Sequence, residues 1–326
     1  TAEYEGEKWY NRTSFASGWS TRERSNQTHP AFIPTHHHAG YLYNDIRTRF
    51  GYTPNEMLHV SFGIDNQFFG EGYRSLIQGD QVAPNPFAQM RVNFWRLEYG
   101  LMYQFLNELD STDRIWKFNA SHYLSWNATR NWNISFYETV LFQPSDGAYK
   151  RGFEVEYLNP IVFFRPQEYS VGSSDNVLLA FHSSYKIKQH KVYFQLSLDE
   201  FFLQEIRNRS KWWANKYGAQ LGVKGHLKRF NYRIEGNVVR PYTYSHINYG
   251  QNVGNVGQPM GHTLGSNFAE LLAIVDFNIK KFHVKTYAVF QLKGFDDASD
   301  SLNLSWGGNI YSNYLNRPKE YGNTIG

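Results

Sequence analysis

Two adjacent tryptophans and a run of charged residues form the most chemically capable set in this chain. Arg165, Glu168, Asp175, Asp199, Glu200 and Glu205 precede Trp212 and Trp213 in sequence. Indole rings stack on the apolar faces of sugars, while carboxylates and a guanidinium exchange hydrogen bonds with hydroxyls. The expected ligand-binding residues are therefore Arg165, Glu168, Asp199, Glu200, Trp212 and Trp213. A network of paired charges filling a partly dry barrel interior would use the same residue types. Glycosidase chemistry is not expected. Asp199 and Glu200 are neighbours, so on a strand they point to opposite faces and cannot flank one bond. A partner such as Glu168 would have to stand roughly 5–10 Å away, and no spacing in the sequence supplies that.

Other chemistries find less support. His36-His37-His38 could ligate a metal, but consecutive strand residues alternate, so at most two would converge, and no acidic or Cys partner lies at a diagnostic spacing. A solvated loop fits that run better, and no metal site or cofactor is expected. Phosphate-loop, GxSxG, HExxH and EF-hand patterns are absent. The net charge is +4, with both signs interspersed. No basic stripe exists to neutralise a phosphate backbone, so nucleic acid is not an expected partner. The reading is non-enzymatic, with no catalytic residues.

What positions these groups is a repeated alternation. In Lys191 to Glu200, Val192, Phe194, Leu196 and Leu198 point one way, and Tyr193, Gln195, Ser197 and Asp199 the other. Phe282 to Leu292 and Ala219 to Leu227 repeat it. Trp116, Phe118, Ala120, Leu124 and Trp126 do so as well, with His122 as the exception. Strands of this length, apolar outside and polar inside, are expected of a transmembrane antiparallel up-and-down β-barrel. A soluble β-sandwich is the alternative, although its strands usually run shorter. Mean hydropathy is −0.58, which a barrel tolerates because half of every strand faces a polar lumen. No apolar run is long enough for a membrane-crossing helix. Aromatics make up 18% of the chain, as membrane-interface girdles require, although a carbohydrate-binding β-protein would be aromatic-rich too.

One barrel domain is expected over residues 1–326, with an irregular start at 1–57. Strands should begin near Leu58. Arg91 to Phe105 and Ile115 to Trp126 read as a hairpin pair, and Leu302 to Tyr311 as a late strand. Short turns are expected at Lys188-Gln189-His190, Lys228-Arg229-Phe230 and Lys280-Lys281. Long loops are expected at Asn66 to Asn85, Leu203 to Lys216 and Arg240 to Ser266. The pattern fits a barrel of about 12–18 strands with long extracellular loops and short periplasmic turns. Tyr321 to Gly326 makes a poor closing strand, so further C-terminal residues are expected. Tyr73, Arg74, Tyr242 and Tyr244 lie in the long loops and are candidate partner-surface residues, because Tyr and Arg anchor interfaces. The alternative is that these loops fold inward and plug the barrel.

Several segments resemble gliding-motility RemB-like proteins of the Bacteroidota outer membrane. They include Gly70-Glu71-Gly72-Tyr73-Arg74-Ser75-Leu76, Arg151 to Pro160, Phe163 to Glu168, Gly172 to Asn176, Leu198 to Phe201, Trp212 to Gly218, Arg240 to His246 and His262 to Asn267. More distantly the set resembles the Wzi capsule-assembly family. The resemblance covers roughly residues 60–280 and implies an outer membrane barrel with a surface polysaccharide-binding role. The implied partners are outer membrane lipid or lipopolysaccharide and surface polysaccharide. An accessory subunit of a larger outer membrane secretion or assembly complex, contacting other outer membrane proteins, is the alternative function.

Overall fold

The computed structural model describes residues 1–20, 35–37, 40–109, 114–146, 149–150, 157, 175–200, 203–208, 213–296 and 304–312. The strands are β1 (Ala2–Glu5), β2 (Trp9–Ser20), β3 (Thr35–His37), β4 (Gly40–Tyr52), β5 (Leu58–Asp65), β6 (Asn85–Phe94), β7 (Leu97–Leu109), β8 (Arg114–Asn127), β9 (Trp132–Phe142), β10 (Ser145–Asp146), β11 (Tyr149–Lys150) and β12 (Asn176–Ile187). They continue with β13 (His190–Leu198), β14 (Tyr217–Leu227), β15 (Phe230–Val239), β16 (Gly254–Asn255), β17 (Gln258–Pro259), β18 (Phe268–Ile279) and β19 (Phe282–Lys293). A short helix α1 (Leu203–Arg207) follows β13.

Fifteen strands form one sheet in the order β1-β2-β4-β5-β6-β7-β8-β9-β12-β13-β14-β15-β18-β19, with β3 beside β4. Every pairing is antiparallel, and neighbours in space follow one another along the chain. The chain is an up-and-down β-barrel of the bacterial outer membrane type, as its alternation predicts. The pairings among the described residues run from β1 to β19 and include none between those two strands.

The faces separate as expected. On β13, Tyr193, Gln195 and Ser197 are fully buried in the lumen, while Val192 faces out. Leu221, Ile234, Leu271 and Phe290 are among the exposed apolar residues of the outer wall, where lipid can cover them. His122, the exception in its strand, does lie on the apolar outer face. Its Nε2 stands 2.8 Å from Glu138 Oε2, across the β8–β9 pairing. Nearby, Tyr157 in the β9–β12 connection packs on Ala120, Val140, Phe142 and Val177, and Tyr103 donates a hydrogen bond to its carbonyl. At that point Tyr157 covers the outer wall.

The alternating chain direction sends the connections at residues 66–84, 143–175, 199–216 and 240–267 to one end. The opposite end has the short turns Lys188–Gln189, Lys228–Arg229 and Lys280–Lys281, as predicted.

Three expectations are corrected. Residues 1–57 are not an irregular start, for β1 to β4 lie there. Asn11, Thr13 and Ser17 share a β2 face with Trp9 and Phe15, which dilutes the apolar period that marks a strand. Arg91 to Phe105 is two strands, broken by Trp95–Arg96. That turn contains no Gly, Asn, Asp or Pro, and Trp95 takes the left-handed conformation (φ 54°) that bulky residues rarely adopt. Residues 304–312 are not a strand. Gly307 sits at φ 72°, Asp296 accepts the Trp306 amide, and Ile310 enters the interior core.

Candidate functional site

The lumen is filled by two of the long connections. Residues 66–84 turn inward between β5 and β6. Glu235 on β15, fully buried, accepts the amides of Tyr73 (2.7 Å) and Arg74 (3.1 Å), the Tyr193 hydroxyl (2.7 Å) and the Asn237 side-chain amide (3.1 Å). Gln195 on β13 accepts from the Leu76 amide (2.9 Å) and donates to the Phe69 carbonyl (3.0 Å). This close approach explains the glycines of the Gly70-Glu71-Gly72 motif. A Cβ on Gly70, at φ 119°, would lie 1.9 Å from the Gln195 side chain, and one on Gly72 would lie 2.4 Å from the Arg74 carbonyl and 2.7 Å from the Glu235 carboxylate on β15. Between them, Glu71 pairs with Lys191 and Lys224. Burial pushes the Glu71 carboxyl up, but the two ammonium groups outweigh it and hold it below the usual range.

Residues 240–267 form a second inward layer. Met260 and Val253 join Leu76, Leu141, Leu178, Val239 and Phe268 in one apolar core. The two layers are bonded together. The Tyr244 hydroxyl donates to the Leu76 carbonyl (2.7 Å), and the Gly79 amide to the Met260 carbonyl (2.7 Å). The wall holds this layer through Lys117 on β8. Its ammonium group donates to Glu108 Oε1 (2.9 Å) and to the carbonyl and side-chain oxygens of Asn252 (3.0 and 2.9 Å). Glu108 also accepts the Gly257 amide (2.9 Å) and the Tyr311 hydroxyl (3.1 Å).

His262 in this layer stands 2.9 Å from Glu270 Oε1 and is fully buried. Burial pushes its imidazole below the ordinary value, against the pull of Glu270. As pH falls, the unfolded chain therefore takes up this proton first. The stability that His262 contributes is complete above about pH 6.5 and is lost as pH drops from there through the lower folded value. His262→Gln should show a smaller loss of stability than the native chain between about pH 7.5 and pH 5 in unfolding series in lipid. Equal losses in the two proteins would refute this.

At the long-loop end a second cluster gathers five of the residues singled out from sequence. Asp199 Oδ2 accepts the Tyr244 amide (2.8 Å). Lys216, whose side chain is fully buried, reaches Glu200 Oε1 (3.2 Å) and the Ser245 carbonyl (2.9 Å). Trp213 meets Tyr242 edge to face, with centroids 5.6 Å apart. Arg240 lies over the Tyr217 ring, 5.2 Å from its centroid. Trp213 is half-buried and the Glu200 carboxylate 29% exposed, so an aromatic ring and a carboxylate are both presented at this end.

Placement separates the remaining candidates. Tyr242 and Tyr244 are buried among the inward layers, so they do not form the open loop surface expected of them. Their hydroxyls instead bond the carbonyls of Ser305 and Leu76. Tyr73 and Arg74 lie within the lumen as part of the plug. Arg74 stands 3.6 Å from Glu270, and Tyr73 is 38% exposed. Arg165, Glu168 and Trp212 lie outside the described residues, as does His38; His36 and His37 are in β3. Sequence reasoning missed Lys117, Glu108, Glu235 and Glu270. All four sit on the lumenal side of their strands, so the alternation carried a signal for them. It did not tell which lumenal groups would meet a loop.

No family model matches the chain, and no curated protein matches it. Solved structures do. The chain is similar to Wzi, an outer membrane protein involved in group 1 capsule assembly in Escherichia coli and described as a carbohydrate-binding β-barrel. That match has a TM-score of 0.57 and 14% identity, covering 87% of this chain and 70% of that one. OccAB4 of Acinetobacter baumannii matches with a TM-score of 0.34 and 9% identity, over 89% of this chain and 74% of the other. OccK2 (OpdF) of Pseudomonas aeruginosa matches with a TM-score of 0.36 and 9% identity, over 87% and 79%. At these identities the Wzi likeness establishes the barrel fold.

Proposed function

We propose that this chain is a non-enzymatic barrel of the bacterial outer membrane that holds surface polysaccharide at its long-loop end, as a capsule-type or gliding-motility component. The observation that carries the reading is the filled lumen. Two loops bonded to the wall and to each other occupy the space that a diffusion channel would need open. Function then falls to the loop surface, where Trp213, Glu200 and Arg240 offer a ring face, a carboxylate and a cation. A ring and charged hydrogen-bonding groups together suit sugar units. The carbohydrate binding described for Wzi supports this reading, and so do the segments that resemble gliding-motility proteins. The apolar outer wall is the surface for lipid or lipopolysaccharide.

A glycan array with the purified barrel tests the proposal. Trp213→Ala should weaken capture of a bound polysaccharide about tenfold, equivalent to about 1.4 kcal/mol. Glu200→Gln should weaken it about threefold, through loss of one charge-assisted contact. Absence of binding by the native barrel would overturn the reading.

A further inference from the structure

Beneath the plug, on the short-turn side, lies an open cup of about 320 Å³. Its roof is made by Phe68, Phe69, Gly70 and Ile77 of the first inward loop. Its walls are lumenal residues close to the short turns. Arg91 lies near the end of β6, Glu98 near the start of β7, Ser125 near the end of β8 and Ser135 near the start of β9. The cup therefore faces away from the long-loop end, and the plug separates the two.

Three features define what the cup can hold. Its volume lies at the small end of the range for ligand pockets, which suits one or two sugar rings. Its lining mixes signs. Arg49 is already paired with Asp65 at 2.9 Å, and Glu98 accepts the Tyr123 hydroxyl, so there is no concentrated charge to trap a small ion. An aromatic surface is present too, since the Phe69 ring packs against Tyr123 and Tyr137 with centroids 5.3 and 4.8 Å apart.

The fourth observation is independent. Four lining side chains carry a buried polar atom with no hydrogen-bond partner among the described residues: Asn66 Oδ1, Gln67 Nε2, Arg91 Nε and His182 Nδ1. His182 and Gln67 are each more than nine-tenths buried. Buried polar groups are normally satisfied, and an orphan is costly. A concentration of them around one cup marks a place where hydroxyl groups, able both to donate and to accept, would complete the bonding.

We propose that this cup is a second saccharide site, entered from the short-turn end and taking a mono- or disaccharide unit. The inference rests on the carbohydrate reading above, but it assigns a different ligand length and a different face of the membrane. The chain would then engage saccharide on both sides of its plug, with no passage between them.

The test uses the intact barrel in lipid nanodiscs, titrated with glucose, galactose, glucuronate and lactose and read by saturation-transfer NMR. At least one sugar should bind. Arg91→Gln should weaken it about tenfold through loss of a charged donor, and Ser135→Phe, which fills the cup, should abolish it. Trp213→Ala should leave it unchanged. Heat-modifiable migration on gels confirms that each variant keeps its barrel. No binding of any of these sugars overturns the cup while leaving the long-loop reading intact. Binding that disappears with Trp213→Ala and persists in Ser135→Phe also overturns it. Binding that depends on Arg91 in a barrel that captures no polysaccharide upholds the cup and refutes the long-loop reading.

Discussion

Lys117→Met is expected to destabilise the barrel by about 3–5 kcal/mol, the cost of breaking a buried ion pair from one side. Both Lys117 and Glu108 side chains are fully inaccessible to solvent. Methionine matches the volume of the lysine stem, so the loss is not one of packing. It leaves Glu108 with the Gly257 amide and the Tyr311 hydroxyl but no cation, and it deprives the Asn252 oxygens of their donor. Because Asn252 belongs to the second inward layer, the damage should fall on the docking of residues 240–267. Urea unfolding in lipid vesicles gives the free energy, and limited proteolysis between β15 and β18 reports the docking. Adding Glu108→Leu to Lys117→Met should recover much of the loss, since removing both charges of a buried pair is often close to neutral. A cost below about 1 kcal/mol for the single variant would show that water solvates the pair.

Glu235→Leu is expected to release the first inward loop. One carboxylate holds four donors, two of them backbone amides that only this side chain satisfies in the described structure. Orphaning those donors costs about 1–3 kcal/mol each, enough to outweigh docking of the Tyr73–Arg74 segment. The loop should then become sensitive to protease near Tyr73. Ion conductance in planar bilayers should be close to nil for the native barrel and appear as discrete openings in the variant. Glu235→Gln keeps one acceptor oxygen and should show a weaker form of both effects. A Glu235→Leu barrel that stays silent and protease-resistant would mean that the apolar core around Leu76 holds the loop by itself.

The sequence determined the outer shape. Val192, Phe194, Leu196 and Leu198 alternate with Tyr193, Gln195 and Ser197, and that period alone assigns one face to lipid and the other to the lumen. Lys228-Arg229 and Lys280-Lys281 show up as turns because polar pairs interrupt the alternation. The signal failed where local chemistry did not announce itself, at Trp95–Arg96, where a tryptophan turns the chain, and in β2, where Asn11 and Thr13 occupy outward positions. Gly70 and Gly72 stood out in sequence, but their reason lies on β13 and β15, more than a hundred residues away.

The long loops show the limit most clearly. Tyr242 and Tyr244 have the residue type of an exposed binding surface, and nothing local distinguishes that role from a plug. What decides is a set of non-local bonds: Asp199 to the Tyr244 amide, Tyr244 to Leu76, Lys117 to Asn252 and Glu235 to Tyr73 and Arg74. Strand periodicity is a property of neighbouring residues, so the sequence by itself determined the barrel and its two faces. Whether a lumen is open or filled depends on donors and acceptors that meet only when distant strands close around a loop, and the tertiary structure alone decided that.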